Sequence, residues 1–104
     1  MQLADIWIEL KRRLTKNSEI KSWSVATGFL GDTFTVIGAK SGHVLIKSPF
    51  DLNPQKIPDQ DFITVLELWN DYVEGKLTRA DIQTRTKFSK YIISILRSLE
   101  TPRQ

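Results

Sequence analysis

The chain lacks cysteine and has one histidine, His43, among its 104 residues. Without cysteine it cannot form a disulfide scaffold, a thiolate zinc site, a cysteine nucleophile or an iron–sulfur centre. One histidine is too few for the usual imidazole metal site, and no spacing matches a zinc or calcium loop. The few glycines form no phosphate-binding loop at the start of a helix. We therefore expect no cofactor, no metal and no catalytic constellation, and we predict that the protein is not an enzyme.

Long apolar runs are also missing, because none approaches the roughly 18 residues that a membrane-spanning helix needs. The first residues, Met1–Asp5, include an early acid and lack the basic-then-apolar order of a signal peptide. We therefore expect a cytoplasmic protein without a membrane partner. Three Trp, five Phe and two Tyr supply bulky apolar surface for a core. The length and these aromatic residues predict a single domain over residues 1–104.

Charge is unevenly distributed along the chain, although the formal net charge is only +3. Residues 50–75 hold one lysine against six acids, whereas residues 76–104 hold seven Lys or Arg against two acids. When acidic and basic residues are separated along a chain in this way, the basic region can attract the acidic region of the same molecule, the acidic region of another copy, or a polyanion. Glu67, Asp71 and Glu74 share one helix face, and we interpret them as a solvated acidic face rather than a divalent-cation site.

Apolar spacing predicts an amphipathic first helix over residues 3–16. After it, apolar and polar residues alternate with a period of two, which is typical of β-strands. The three alternating stretches are centred on Trp23, Phe34–Val36 and Val44–Ile46, and glycines separate them. Short turns with glycine join antiparallel neighbours, so we predict a three-stranded antiparallel meander. Gln55–Ile57 is a candidate for an additional short edge strand.

Three helices are predicted in the C-terminal half. A proline followed by acids suits a helix start and Gly75 a helix stop, which places one helix over residues 59–74. Thr78 is a good N-cap for a short helix over residues 79–84, and an apolar stripe predicts the last helix over residues 88–99. The succession of one helix, three strands and three helices is an α+β fold.

Residues 75–99 resemble a helix-turn-helix pair, since a capped short helix, a polar break and a longer basic amphipathic helix follow in that order. The resemblance implies that the last helix packs its apolar stripe inward and offers its first turn to nucleic acid. Basic residues on the preceding segment would contact phosphates, which supply most non-specific affinity. The candidate nucleic-acid-binding residues are Arg79, Arg85, Lys87, Ser89, Lys90 and Arg97.

Two positions depart from the helix-turn-helix motif. The motif has a small residue where this chain has Ile82, and a glycine where this chain has Thr86. The last helix also has no Asn, Gln or Asp, which are among the residues that pair with base edges. A helical hairpin that only packs against a sheet has the same sequence pattern. Both the nucleic-acid interpretation and the purely structural one therefore stay open.

A second resemblance covers roughly residues 21–99 and rests on scattered residues rather than on one diagnostic motif. The residues that carry it are Asp32–Val36, Val44–Ile46, Gln55–Ile57, Asp61–Phe62, Trp69, Tyr72, Gly75–Lys76, Arg79 and Ser89–Leu96. This succession is similar to a small domain of unassigned function found in hypothetical proteins of bacterial mobile, integron-type gene cassettes and beside nuclease-like modules. The resemblance implies a bacterial origin and a role connected with nucleic acid, and it implies no catalytic residue.

A protein-interaction module that forms a homo-oligomer is the alternative function. Large apolar residues lie in or near predicted loops, and the acidic helix of one copy would meet a basic face of another. Phe29 and Leu30, between two glycines at a predicted hairpin tip, and Phe50 are the candidate interface residues. Trp7 and Trp23 are further apolar candidates near loops.

Four aromatic residues carry the remaining alternative, an enzyme with a small-ligand pocket. Trp23, Phe34, Trp69 and Tyr72 would line a pocket between the meander and the helices. Aromatic residues at these spacings are more typical of an ordinary core, which is the interpretation that we prefer.

Overall fold

A computed structural model describes residues 3–14, 18–24, 28–49 and 52–100, in which one helix is followed by four strands and then by three helices. The helices are α1 (Leu3–Lys11), α2 (Asp59–Val73), α3 (Arg79–Gln83) and α4 (Ser89–Glu100). The strands are β1 (Ser18–Ser24), β2 (Gly28–Lys40), β3 (His43–Lys47) and β4 (Gln55–Pro58). The predicted α+β class is confirmed. None of the helices in the described ranges is long and apolar enough to cross a membrane.

The sheet has four strands in the order β1-β2-β3-β4, and every neighbouring pair is antiparallel. The predicted three-stranded meander is therefore wrong in its strand count. The difference is the candidate edge strand, because Ile57 pairs with Val44 and Lys56 with Leu45 of β3. Pro58 ends β4 and also takes the N-cap position of α2 with φ −61°, so the strand leads directly into the helix.

Strand β2 is longer than the glycine pattern predicted. Gly28 and the residues after it were expected to form a hairpin tip, but β2 already begins at Gly28, and Phe29 pairs with Trp23 of β1. At the other end, β2 turns into β3 through Ser41 and Gly42. Gly42 has φ +88°, which favours glycine, and its carbonyl accepts a hydrogen bond of 3.0 Å from the backbone N–H of Asp59.

The pairing of β1 with β2 shifts in register between Lys21 and Trp23. Ser22 and Trp23 are consecutive and both buried. In a regular strand, consecutive side chains point to opposite faces of the sheet, so burial of both agrees with a bulge at this point. The backbone N–H of Trp23 donates to the Ser94 hydroxyl of α4 at 3.0 Å. The edge of the sheet at β1 is thus tied to a helix at this point.

The first helix ends at Lys11 rather than at the predicted residue 16. The chain tightens there, since Arg13 N donates to Leu10 O and Leu14 N to Lys11 O, both of which are bonds over three residues. Residues 15–17 lie outside the described part of the chain. Lys11 Nζ instead forms an ion pair of 2.9 Å with Asp59 at the start of α2, which fixes the end of α1 to that helix.

The core lies between the inner face of the sheet and the helices: α4 packs on β1 and α2 on β4, while α1 packs on α2 and α3 packs on α2 and α4. The sheet contributes Ile20, Phe34, Val36, Val44, Ile46 and Ile57, all buried. From the helices, Trp7 of α1 stacks on Phe62 of α2 with ring centroids 4.0 Å apart, and Ile82 of α3 is fully buried. Burial of each such side chain contributes about 1.5–3 kcal/mol of hydrophobic free energy. The result is a two-layer arrangement with helices on one face of the sheet.

Candidate functional site: the turn between α3 and α4

The segment that leads from α2 into α4 is built around a capped short helix. Gly75, with φ +81°, closes α2, and Lys76 N donates to Asp71 O at 2.8 Å. Thr78 then caps α3 reciprocally, because its hydroxyl accepts from the Asp81 backbone N–H while the Asp81 carboxylate accepts from Thr78 N at 2.8 Å. The hydrogen bond from the Thr78 backbone N–H holds the pKa of the Asp81 carboxyl below its usual value, and the bond from the Thr78 hydroxyl contributes to a lesser extent. The cap thus fixes the direction of α3.

The turn after α3 is held by Thr86, the residue in the position where a helix-turn-helix carries glycine. Its side chain is buried, and its hydroxyl donates to Asp61 Oδ2 of α2 at 3.0 Å. The Thr86 hydroxyl oxygen also accepts a hydrogen bond from the backbone N–H of Phe88 at 3.1 Å. A threonine rather than a glycine is therefore used here as a clamp, which joins the turn to the first turn of α2.

Three exposed cations surround this clamp, and we call Arg79, Arg85 and Lys87 the basic corner. Arg79 opens α3, while Arg85 and Lys87 lie on either side of Thr86. Within the described ranges no carboxylate forms an ion pair with any of the three. Lys87 Nζ lies 5.1 Å from the centroid of the Phe88 ring, a cation–π contact that leaves its charge uncancelled. The corner therefore presents its positive charge to solvent.

The other three predicted nucleic-acid-binding residues do not share this exposure. Ser89 is only 3% exposed, so the expectation that it faces a groove is wrong: as the first residue of α4, it sits where the helix enters the core. Lys90 is half-buried. Arg97 is half-buried as well, and its guanidinium carbon lies 5.0 Å from the Trp23 ring centroid of β1. Of the six predicted residues, the three cations that precede α4 are the exposed ones.

Helix α4 itself has no open side along its described length. Ile92, Ile93, Ser94, Ile95 and Leu96 are all buried, although five consecutive residues cover more than a full helical turn. From Ser89 to Leu99 none of its side chains is fully exposed. A recognition helix needs one free side to enter a DNA groove. The order of elements expected from the helix-turn-helix resemblance is present, but α4 is packed between β1, α2 and α3.

Among the candidate interface residues, those that the structure describes do not lie in the exposed loops in which the sequence placed them. Phe29 and Leu30 belong to strand β2 rather than to a hairpin tip, and Phe50 lies outside the described residues. Trp7 is 1% exposed and Trp23 is 9% exposed, so both belong to the core instead of an apolar contact patch. The early start of β2 explains the position of Phe29 and Leu30, because it places in a strand residues that the glycine pattern assigned to a hairpin tip.

The aromatic residues that were considered for a ligand pocket form part of the core. Trp23, Trp69 and Tyr72 pack on one another with ring centroids 5.8–6.3 Å apart. Phe34 meets Tyr91 of α4 edge-on at 4.9 Å. All four of the proposed lining residues are buried. Within the described ranges, no group of three or more His, Asp or Glu side chains is placed to hold a metal ion.

A basic surface that the sequence interpretation missed lies on the side of the sheet that faces away from the helices. Lys21, Lys47 and Lys56 are exposed there, on β1, β3 and β4. The outer sheet face, as we call it, comprises residues none of which is buried: Glu19, Lys21, Thr33, Thr35, Ile37, Lys40, His43, Leu45, Lys47 and Lys56. The signal was present in the sequence, since strand alternation puts these lysines opposite the buried residues of each strand.

Two concave regions accompany these surfaces. A depression of about 420 Å³ on the outer sheet face is lined in part by Thr35, Ile37 and Lys47. A groove of about 660 Å³ separates the end of α1 from the turn between β2 and β3. In that groove Lys11 is already paired with Asp59 at 2.9 Å, while the neighbouring Arg12 is paired with Glu9 at 3.0 Å. The groove therefore offers less uncompensated charge than the basic corner.

Comparison of the chain with protein-family models, with curated proteins and with solved structures finds no match. The function must accordingly be argued from the residues and their geometry.

Proposed function

We propose that this protein is a non-enzymatic domain that binds nucleic acid through the phosphate backbone, with the basic corner as its contact surface. One observation carries the proposal: three exposed cations without carboxylate partners in the described ranges lie on a segment that Thr86 and the α3 cap hold in place. A cationic surface that is already ordered loses little side-chain and loop freedom when a polyanion binds.

The mode of binding follows from the types of residue and from the burial of α4. Arg79 and Arg85 carry planar guanidinium groups, which match two phosphate oxygens at once, and Lys87 adds a point charge. Because no side of α4 is free to enter a groove, base edges are not read. The domain would thus bind duplexes of different sequence with similar affinity, and its role is that of an accessory module. Such a role agrees with the cytoplasmic location expected from the sequence.

The test is binding to a fluorescent duplex of about 20 base pairs and random sequence over a series of salt concentrations. If all three cations contact phosphates, the logarithm of the binding constant falls with the logarithm of salt concentration with a slope of about −2.7. Affinity then drops about 40-fold between about 50 and 200 mM salt. The triple variant R79A/R85A/K87A should lose this salt dependence and most of the binding at low salt.

A control of the same charge is available outside the basic corner, with the difference that Arg12 is paired with Glu9. The variant R12A/R13A/K40A removes the same types and number of exposed cations and changes the net charge equally. It should bind the duplex within about twofold of the unaltered chain, apart from a small long-range effect of net charge. Equal loss in both variants would show that only net charge matters, and no binding at low salt would refute the proposal. A large preference between two unrelated duplexes would refute the phosphate-only mode.

A further inference from the structure

We propose that the outer sheet face is a docking surface for the acidic side of α2 in a second copy of this chain. Its positive charge is spread diagonally across the sheet. Lys47 and Lys56 lie on neighbouring strands and two residues apart in register, so their Cα atoms are about 8 Å apart. Lys21 lies two strands away from Lys47 and two residues farther along, at about 12 Å. Against these three lysines the face carries one acid, Glu19.

The face is not purely charged, and this favours a protein partner. Ile37 and Leu45 lie near its middle and are half-buried, which leaves apolar surface that a partner would cover. Beside them is the depression of about 420 Å³, large enough to seat a side chain. The described residues of the face include no Phe, Tyr or Trp ring, and its one imidazole, His43, is half-buried, so a single nucleic-acid strand lacks a row of rings on which successive bases would stack.

The complementary surface lies on α2 of the same chain. Glu67 and Asp71 of α2 and its C-cap residue Glu74 are exposed on the side opposite the buried residues of the helix. Glu74 is paired with Lys76 at 3.0 Å, so Glu67 and Asp71 carry the uncompensated charge of this side. The three acids span about 10 Å of helix length, a distance that flexible lysine side chains on the sheet can match. Ile63, half-buried and one turn before Glu67, gives this side an apolar residue to set against Ile37 and Leu45. We call Ile63, Glu67, Asp71 and Glu74 the acidic ridge.

The two surfaces lie on opposite sides of the two-layer molecule. The buried residues of α2, among them Phe62 and Val65, face the core that the inner side of the sheet bounds. The acidic ridge and the outer sheet face therefore point away from each other, and no chain can satisfy its own pair. Contact between them is head-to-tail, so each added copy leaves one free surface of each kind. Association should then proceed beyond a dimer as concentration rises.

Sedimentation velocity at low and high salt tests this arrangement. At about 50 mM salt, the weight-average mass should rise with concentration above the 12.0 kDa of one chain. At about 1 M salt, where charges more than about 3 Å apart are screened, it should return to that of one chain. A chain that stays monomeric at about 1 mM and low salt overturns the proposal, and so does a mass that stops at a dimer.

Charge reversal identifies the two surfaces. The variants K21E/K47E/K56E and E67K/D71K/E74K should each lose association, since each sets like charges against one another. An equimolar mixture of the two should associate again, because every contact is then between opposite charges. A chain carrying all six changes should also associate, and its net charge equals that of the unaltered protein. Failure of both rescues overturns the proposal; circular dichroism establishes that each variant is folded.

The basic corner separates this result from the proposed nucleic-acid function. R79A/R85A/K87A leaves both docking surfaces intact, so it should associate as the unaltered chain does, even if it no longer binds DNA. If the unaltered chain is monomeric and K21E/K47E/K56E abolishes duplex binding, the outer sheet face binds a polyanion instead, and self-docking is refuted.

Discussion

Helices α2 and α4 have similar lengths and both were predicted from an apolar stripe, yet they occupy opposite environments. Helix α2 keeps an exposed side, on which Glu67 and Asp71 lie. Helix α4 is buried on positions outside its stripe as well, at Ile93 and Ser94. Periodicity identifies the side of a helix that is certain to be covered, but it does not show whether a second element covers the opposite side. The functional interpretation of α4 depended on that second point.

The largest expected effect on stability comes from a substitution on the side of α4 that lies outside its apolar stripe. Replacing Ile93 by Ala removes a fully buried side chain that the stripe did not include, and we expect a loss of about 2–5 kcal/mol in the free energy of unfolding. Glu67→Ala, on the exposed side of α2, should change it by no more than about 0.5 kcal/mol. Urea denaturation measures both. A neutral Ile93→Ala would show that α4 has a free side after all.

A smaller effect is expected from the polar residue on the covered side of α4. Ser94→Ala leaves the buried backbone N–H of Trp23 without its acceptor, which should cost about 1–3 kcal/mol. The control is Ser98→Ala, because the Ser98 hydroxyl donates only to a carbonyl of its own helix, that of Ile95. That change should stay within about 0.5 kcal/mol. Equal effects of the two substitutions would argue against the tie between α4 and β1.

The smallest effect concerns the cap between the two helices. Thr78→Ala should cost about 1 kcal/mol at neutral pH, whereas Thr78→Ser keeps the hydroxyl and should cost less. The pKa of the Asp81 carboxyl is lowered in the folded chain, so its contribution is present above the usual carboxyl pKa and is lost as pH falls through the lowered one. The difference between the unaltered chain and Thr78→Ala should therefore shrink below about pH 4. A constant difference down to pH 2 would contradict the reciprocal cap.

Local signals predicted much of the fold. Gly75 closes α2, Thr78 caps α3, and α4 ends its stripe at a buried Leu99, all as their residue types indicated. Each of these features depends on neighbours in sequence. The edge strand at Gln55–Pro58 could be predicted only as a candidate, because its pairing with β3 is a tertiary contact that the local sequence does not show. Gly28 led to the wrong prediction of a hairpin tip, because a glycine at the start of a strand cannot be distinguished by sequence from a glycine in a turn.

The candidate site shows the same division. The exposure of Arg79, Arg85 and Lys87 follows from a polar segment between two helices, and the sequence indicated it. The contact of Arg97 with Trp23 joins residues of α4 and β1 that are more than 70 positions apart in the chain. The burial of Ser89 likewise depends on how α4 packs in the fold. The clamp from Thr86 to Asp61 is likewise non-local. Spacing alone carries no information about such partners.

Each edge strand of the sheet carries one feature that makes pairing with a further strand less favourable. At β1 the Trp23 N–H is already used by Ser94, and at β4 the strand is four residues long and ends in a proline. An incoming strand therefore finds one donor of β1 already occupied and a short ladder at β4. Growth of the sheet from its edges in the native state is less favourable than it would be at a long, unoccupied edge strand.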